Sequence, residues 1–286
     1  MKIIVLGASG QIGSLIYHGL QNSHEVKGTS RKRANELIQF DPFVDDWALL
    51  GKADLLINCV GQIEATTHSS FYHIHVNLTS RIIANRAKLG NPRIVQISAL
   101  GASSTHDVEF LKTKGVADDL LLQHLNTAVV RPSIVCTHRT MIVKKMLMLS
   151  TFSRFMLGVI PVPKGFLQSK IQPIMPEDLV ELVHRVCVFE NVRIIEAVGI
   201  EALSFGEIIE LVMKNAKRTF KVIEVSKAAS DLVVKNILSR LLPRVISAQQ
   251  YQLLFHDNVA DVEPCAQLLG KNPKSCREFF KLNFIN

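Results

Sequence analysis

The chain has 286 residues, 48% of them hydrophobic, and a formal net charge of +8. That is enough for a sizeable core, in one large domain or a domain with a smaller appendage. Its five cysteines (Cys59, Cys136, Cys187, Cys265, Cys276) are scattered and contain no Cys-x-x-Cys pair, which argues for free thiols in a reducing compartment and against a metal site. No stretch reaches the length of a membrane span, the first apolar run is too short for a signal peptide, and low aromatic content with no RNA-binding signature argues against nucleic acid as the anionic partner.

Residues 2–6, KIIVL, are β-branched and aliphatic and predict a strand. Gly7, Gly10 and Gly13 follow, ahead of a helical pattern at Ile12, Leu15, Ile16 and Leu20. Strand, glycine turn and helix together make a dinucleotide site: Gly7 turns the chain, Gly10 admits a pyrophosphate, Gly13 lets the helix pack close, and the helix N-terminus faces the phosphates. No Gly-Lys-Ser/Thr follows, so a mononucleotide P-loop is disfavoured.

Residues 25–29 read as the second strand, running into Ser30, Arg31, Lys32 and Arg33. An NAD site usually places an acid here for the ribose hydroxyls. Ser30 and the planar fork of Arg31 suit a 2′-phosphate instead, so the expected cofactor is NADP(H) in preference to NAD(H). The competing reading is a solvated basic turn. Residues 38–40 predict a third strand leading to Asp41, which either accepts from the adenine amino group or caps a short helix near residues 44–50. Residues 54–58 predict a fourth strand. The Asn58-Cys59-Val60-Gly61 turn after it would lie over the middle of the cofactor.

A helix is expected over residues 71–89. His73 and His75 fall on different faces and make a poor metal pair, while Asn77 is expected to point toward the sheet. Strands at 93–98 and 127–131 flank a helix at 109–124. Ser98 and Pro132, at the ends of those strands, complete the expected cofactor-binding set. This alternation predicts an α/β fold with a Rossmann-type, doubly wound parallel sheet. Its core spans residues 1–135. Residues 136–286 form a mixed region that returns a strand and helix to the core at about 171–198 and builds a small, mostly helical C-terminal lobe.

Residues 120–175 contain no acid, and residues 141–160 and 232–246 are basic and apolar. They suit an anionic membrane surface, although ordinary core-facing helices are the preferred reading. Helix starts are expected at Pro176-Glu177-Asp178, at the capping boxes Ser204/Glu207 and Ser247/Gln250, and at Asn272-Pro273, with Gly270 closing the helix before.

The segments GASGQIG, TSRK, INCVG, VQISALGAS, LKTKG, VVRPSIV and IQPIMPEDL occur in the order of an atypical short-chain dehydrogenase/reductase, within the NAD-dependent epimerase/dehydratase superfamily. The tail, ISAQQYQLLFHDNVAD and LLGKNPKSCREFF, resembles the NAD(P)-binding accessory subunit of respiratory complex I and its bacterial homologues. The resemblance implies cofactor contacts at Gly7, Ser9, Gly10, Gln11, Ile12, Gly13, Ser30 and Arg31, and makes Lys114 the lysine that reaches the nicotinamide ribose. The superfamily's catalytic tyrosine stands four residues before that lysine; here the position holds Phe110. Leu100 takes the place of the catalytic serine. Ser103, Ser104, His106 and Asp107 are the nearest replacements, in what otherwise reads as a polar loop.

The expected function is therefore dinucleotide binding with weak or absent catalysis, the cofactor being structural or sensory, in association with a respiratory or membrane-surface complex. The alternative is a reductase or nucleotide-sugar epimerase/dehydratase with a relocated proton donor and a small-molecule substrate bound in a cleft between the lobes. A redox-sensing module is a third reading. The expected location is cytoplasmic, with peripheral attachment at the inner face of the membrane as a variant.

Overall fold

The computed structural model describes residues 1–34, 36–62, 70–137, 158–216, 221–226, 252–253 and 256–281. The chain divides into two compact units: Met1–Ser133 with Pro176–Val198 and Ala260–Pro273, and Ile134–Met175 with Gly199–Val259 and Lys274–Asn286.

The first unit is built on a seven-stranded sheet. Its strands are β1 (Lys2–Leu6), β2 (Glu25–Ser30), β3 (Ile38–Gln39), β4 (Leu55–Asn58), β5 (Arg93–Ile97), β6 (Thr127–Pro132) and β9 (Ile194–Ala197), in the order β3-β2-β1-β4-β5-β6-β9 with every neighbour parallel. β4 and β5 are buried along their whole length, as central parallel strands covered on both faces must be. Ile3 pairs with both Val26 and Leu55. Strand order therefore reverses at β1, and the crevice beyond the carboxyl ends of β1 and β4 is the topological switch point where open α/β sheets take ligands.

Helix α1 (Gln11–Gln21) buries Gly13, Ile16, Tyr17 and Leu20, one stripe at helical spacing. The 71–89 region is a π-turn (His73–Asn77), α2 (Leu78–Asn85) and a 3₁₀ turn (Arg86–Leu89). α3 (Glu109–Leu122) leads into β6, and α4 (Pro176–Val188) precedes β9 with Glu177 and Asp178 in its first turn. α6 (Glu263–Leu269) ends at Gly270, in the left-handed region at φ +71°.

Two expectations need correction here. The short helix near residues 44–50 is a single 3₁₀ turn, Trp47–Leu50, and its cap is Asp46, whose carboxylate accepts from the Ala48 N–H. Asp41 accepts from the Phe43 N–H at 2.9 Å and so closes the turn before it. The last helix, α7 (Arg277–Phe280), opens four residues later than Asn272-Pro273, because it is the Ser275 hydroxyl that accepts from the Arg277 N–H.

In the second unit, β7 (Val159–Pro163) pairs in parallel with β11 (Lys221–Val225), and β8 (Lys170–Ile171) pairs antiparallel with β10 (Leu203–Ser204). Ser204 caps α5 (Phe205–Ala216) in a reciprocal box: its N–H donates to Glu207 Oε2 at 2.9 Å and its Oγ accepts from the Glu207 N–H at 3.1 Å. Residues 141–157 and 232–246 of the basic segments, and the Ser247/Gln250 box, lie outside the described residues.

Candidate functional site

Gly7 leaves β1 at φ +76°, a conformation that favours glycine, and its carbonyl accepts from the Gly10 N–H at 2.9 Å. A Cβ on Gly13 would come within 2.1 Å of that same carbonyl oxygen, so only glycine lets α1 sit this close to the strand end. No side chain caps the first turn of α1, and no acid stands there. That end of the helix presents its dipole to the switch point. Ser9 and Gly10 are exposed, Gln11 and Ile12 half-buried.

The turn is held from both sides. Ala8 N–H donates to the Thr29 carbonyl at 2.9 Å, joining it to the end of β2. A Cβ on Gly7 would touch Val60 Cγ2 at 3.0 Å, so the 58–61 turn closes the other side. β2 ends with Ser30 buried and with Arg31, Lys32 and Arg33 in solvent. Asn58 Oδ1 accepts from the Val60 N–H at 3.1 Å and fixes the 58–61 turn. Burial pushes the Cys59 thiol up to about 12, so it stays protonated and unreactive at neutral pH.

Beyond that turn stand Lys114 and His75. Lys114 is buried on α3, and its ammonium donates to the Ile97 carbonyl at 3.0 Å. Burial lowers its pKa, against the opposing field of Asp118. The point a Cβ would occupy on Gly61 lies 3.2 Å from Lys114 Nζ and 4.0 Å from His75 Nε2, so the turn packs directly on both side chains.

His75 is 3% exposed. Its Nδ1 is 2.9 Å from Thr113 Oγ1, whose own proton is directed to the carbonyl of Glu109 at 2.9 Å or of Phe110 at 3.2 Å. Thr113 thus fixes the ring through Nδ1, leaving Nε2 as its other polar atom. Nε2 is fully buried and has no hydrogen-bond partner. Phe71 stacks on the ring at 5.8 Å and Phe110 meets it edge-on at 5.7 Å. Burial first, and the Lys114 charge second, push the His75 pKa down to about 2, so the ring is neutral.

Asn77, expected to face the sheet, is instead exposed, with Nδ2 3.5 Å from His73 Nδ1. The cause is the π-turn. Its wider winding rotates the helix face and turns Ile74, His75 and Val76 inward together.

Ser98 and Pro132 are bound into the scaffold. The Ser98 hydroxyl donates to Asp118 Oδ2 at 2.8 Å, and the Pro132 carbonyl accepts from the Leu100 N–H at 2.9 Å. Asp118 also accepts from Gln96 Nε2 at 3.1 Å and Arg131 Nε at 3.0 Å, while Gln96 Oε1 takes the Thr79 hydroxyl and the Asn58 amide. Burial raises the Asp118 pKa, and these donors oppose it. Sequence reading missed this network. The available signal was Lys114 and Asp118 on the same stripe of α3 as Leu111 and Leu121, all four buried. Ser103 pairs with Thr105, and His106 Nδ1 accepts from the Val108 N–H, so each has a partner within the loop.

The chain is 21% identical to the mitochondrial NADH-ubiquinone oxidoreductase 40 kDa subunit of Neurospora crassa, over 91% of this chain and 72% of that one. It is 28% identical to the mitochondrial NADH dehydrogenase [ubiquinone] 1 alpha subcomplex subunit 9 of Arabidopsis thaliana, over 50% of this chain and 35% of that one. Among solved structures, UDP-glucuronic acid 4-epimerase from Bacillus cereus, in complex with UDP-glucuronic acid and NAD, superposes with a TM-score of 0.71 at 13% identity, covering 99% of this chain and 98% of that one. No family model matches the chain. The chain resembles the atypical short-chain dehydrogenase/reductases, and within them the accessory subunits of complex I. Its fold is that of the epimerase/dehydratase group. The glycine cradle that a Cβ would fill and the uncapped first turn of α1 fit the pyrophosphate of a nicotinamide dinucleotide.

Among the described residues, no helix is long and apolar enough to cross a membrane, and no three His, Cys, Asp or Glu side chains are grouped to hold a metal.

Proposed function

We propose that the chain binds NADP(H) and carries out little or no hydride transfer, and that it works as a cofactor-stabilised component of a larger complex. The observation that carries this is Phe110. Its ring, one helical turn before Lys114, meets Phe71 at 5.8 Å and His75 at 5.7 Å, so an apolar edge stands where the superfamily has its phenolic acid. The Ser98 hydroxyl is directed to Asp118, and Leu100 is buried. A positioned acid or base supplies about 10²–10⁴-fold in rate, and an oxyanion donor a comparable factor.

When bound, the dinucleotide would supply hydride chemistry. The chain's own residues would do the rest: the Gly7–Gly13 turn receives the pyrophosphate, Ser30 and Arg31 take the 2′-phosphate, and Lys114 donates to the nicotinamide ribose. Cys59, Val60 and Gly61 line the middle, with Asp41 beside the adenine end. Bound cofactor stabilises the fold by mass action. Support for a complex comes from the names of the two relatives. Support for NADP(H) over NAD(H) comes from the basic turn alone.

One observation favours a second reading, an NADPH-dependent reductase or epimerase with a relocated proton donor: the buried Lys114 ammonium, whose pKa burial lowers. NADPH oxidation by the wild type and Phe110→Tyr, over a panel of quinones, aldehydes and sugar nucleotides, separates the two. The expected result is a silent wild type and a gain in the tyrosine variant. Rapid turnover by the wild type would overturn the proposal.

A further inference from the structure

The first turn of α1 faces the dinucleotide crevice; its far half lies against α4. A Cβ on Gly19 would come within 2.4 Å of Val180 Cγ1, so the two helices are in close contact there. His184 follows Val180 by four residues and shares its face of α4. His24 stands three residues beyond the end of α1, where its N–H donates to the Leu20 carbonyl at 3.1 Å. Each element thus delivers one imidazole to the same seam.

The two rings meet through their Nε2 atoms, 3.0 Å apart, with centroids 5.2 Å apart and planes tilted by 34°. Both residues are half-buried. His184 lines a surface cavity of about 730 Å³ along α1 and α4, and His24 lines another of about 830 Å³, so the pair is reached from solvent. Burial first, and the nearby N-terminal amine and His184 after it, lower the His24 pKa below its ordinary 6.5, so its ring is neutral at pH 7.

Two neutral imidazoles so placed share one proton. The same spacing suits a metal ion: two metal–nitrogen bonds of about 2.0–2.1 Å span 3.0 Å at an angle of about 95°. That is close to the cis angle of tetragonal Cu²⁺ or Ni²⁺, whereas tetrahedral Zn²⁺ needs its nitrogens about 3.3 Å apart. The rings now meet nearly head-on, and a small pivot of each turns both lone pairs onto one point beside the line between them. Glu181, one turn before His184, is engaged by Arg185 at 3.3 Å and by Lys271 at 2.6 Å, and among the described residues no third ligand is grouped with the pair. Water fills the remaining positions.

We propose that His24 and His184 form a two-histidine site for a divalent ion of tetragonal preference, Cu²⁺ or Ni²⁺, bound by both Nε2 atoms in place of the proton they share. The site stands apart from the dinucleotide reading and uses none of the five cysteines. Bound metal clasps the α1–β2 turn to α4 and stabilises the first unit by mass action.

The test is calorimetric titration of the purified chain with CuCl₂ (glycine as competitor), NiCl₂ and ZnCl₂, for the wild type, His24→Asn, His184→Asn and the double variant, with folding checked by circular dichroism. The expected result is one Cu²⁺ per chain, Ni²⁺ also bound, Zn²⁺ weaker than either, and affinities at least about tenfold weaker in each single variant. The paramagnetic resonance spectrum of bound Cu²⁺ should show two imidazole nitrogens in the wild type and one in each single variant. If the variants do not fold, the wild type decides: substoichiometric Cu²⁺ should broaden the ring resonances of His24 and His184 before those of the other histidines. No Cu²⁺ binding by the wild type, equally tight binding by the double variant, or earlier broadening elsewhere would overturn the site and leave the pair a hydrogen bond between packed elements. Zn²⁺ bound as tightly as Cu²⁺ would overturn its tetragonal geometry.

Discussion

The Ser98 hydroxyl donates to the Asp118 carboxylate at 2.8 Å, and this pair ties the end of β5 to the middle of α3. Asp118 is fully buried and also receives Gln96 and Arg131. Removing the carboxylate leaves a guanidinium, a hydroxyl and an amide without their acceptor. Asp118→Ala should destabilise the first unit by about 3 kcal/mol, and Asp118→Asn by less. Urea unfolding measures the difference. A loss near zero would mean that the donors re-pair with one another or with water.

His75 gives a pH signature. Its folded pKa of about 2 lies below the ordinary value of 6.5, so the unfolded chain binds the proton first. Stability from this group is therefore complete above pH 6.5 and falls as the pH drops toward 2. Between pH 7 and pH 5 the loss should be about 2 kcal/mol. His75→Phe should show that much less acid sensitivity in melts at the two pH values. Parallel curves for the two proteins would show that the imidazole is not held neutral.

Gly13 tests the glycine turn without touching charge. A Cβ would sit 2.1 Å from the Gly7 carbonyl oxygen, and backbone cannot yield as a side-chain tip can. Gly13→Ala should push α1 off the strand end, destabilise the protein by about 1–3 kcal/mol and weaken NADPH binding. An unchanged thermal midpoint with full binding would contradict the packing described here.

The sheet was legible because parallel strands buried on both faces read as unbroken apolar runs, as in KIIVL. The glycine turn was legible because each glycine answers a local requirement at fixed spacing. Lys114 was legible only through the family resemblance. Asp118 was not singled out, although it follows Lys114 by one turn on the same buried stripe, because its partners Ser98, Gln96 and Arg131 come from other strands. His75 was obscured by the π-turn: ideal helical spacing set Asn77 inward, and the wider turn reversed this. The late start of α7 depends on a single hydroxyl, Ser275, which competes with a plausible proline signal.

The most direct test of the dinucleotide account is calorimetric titration of the purified chain with NADPH and with NADH, repeated on Arg31→Glu. Saturable binding of NADPH, weaker binding of NADH, and loss of that preference when the exposed Arg31 fork at the end of β2 becomes a carboxylate are the results expected of an NADP(H) site. Equal affinities in the wild type, or no binding of either dinucleotide, would contradict it.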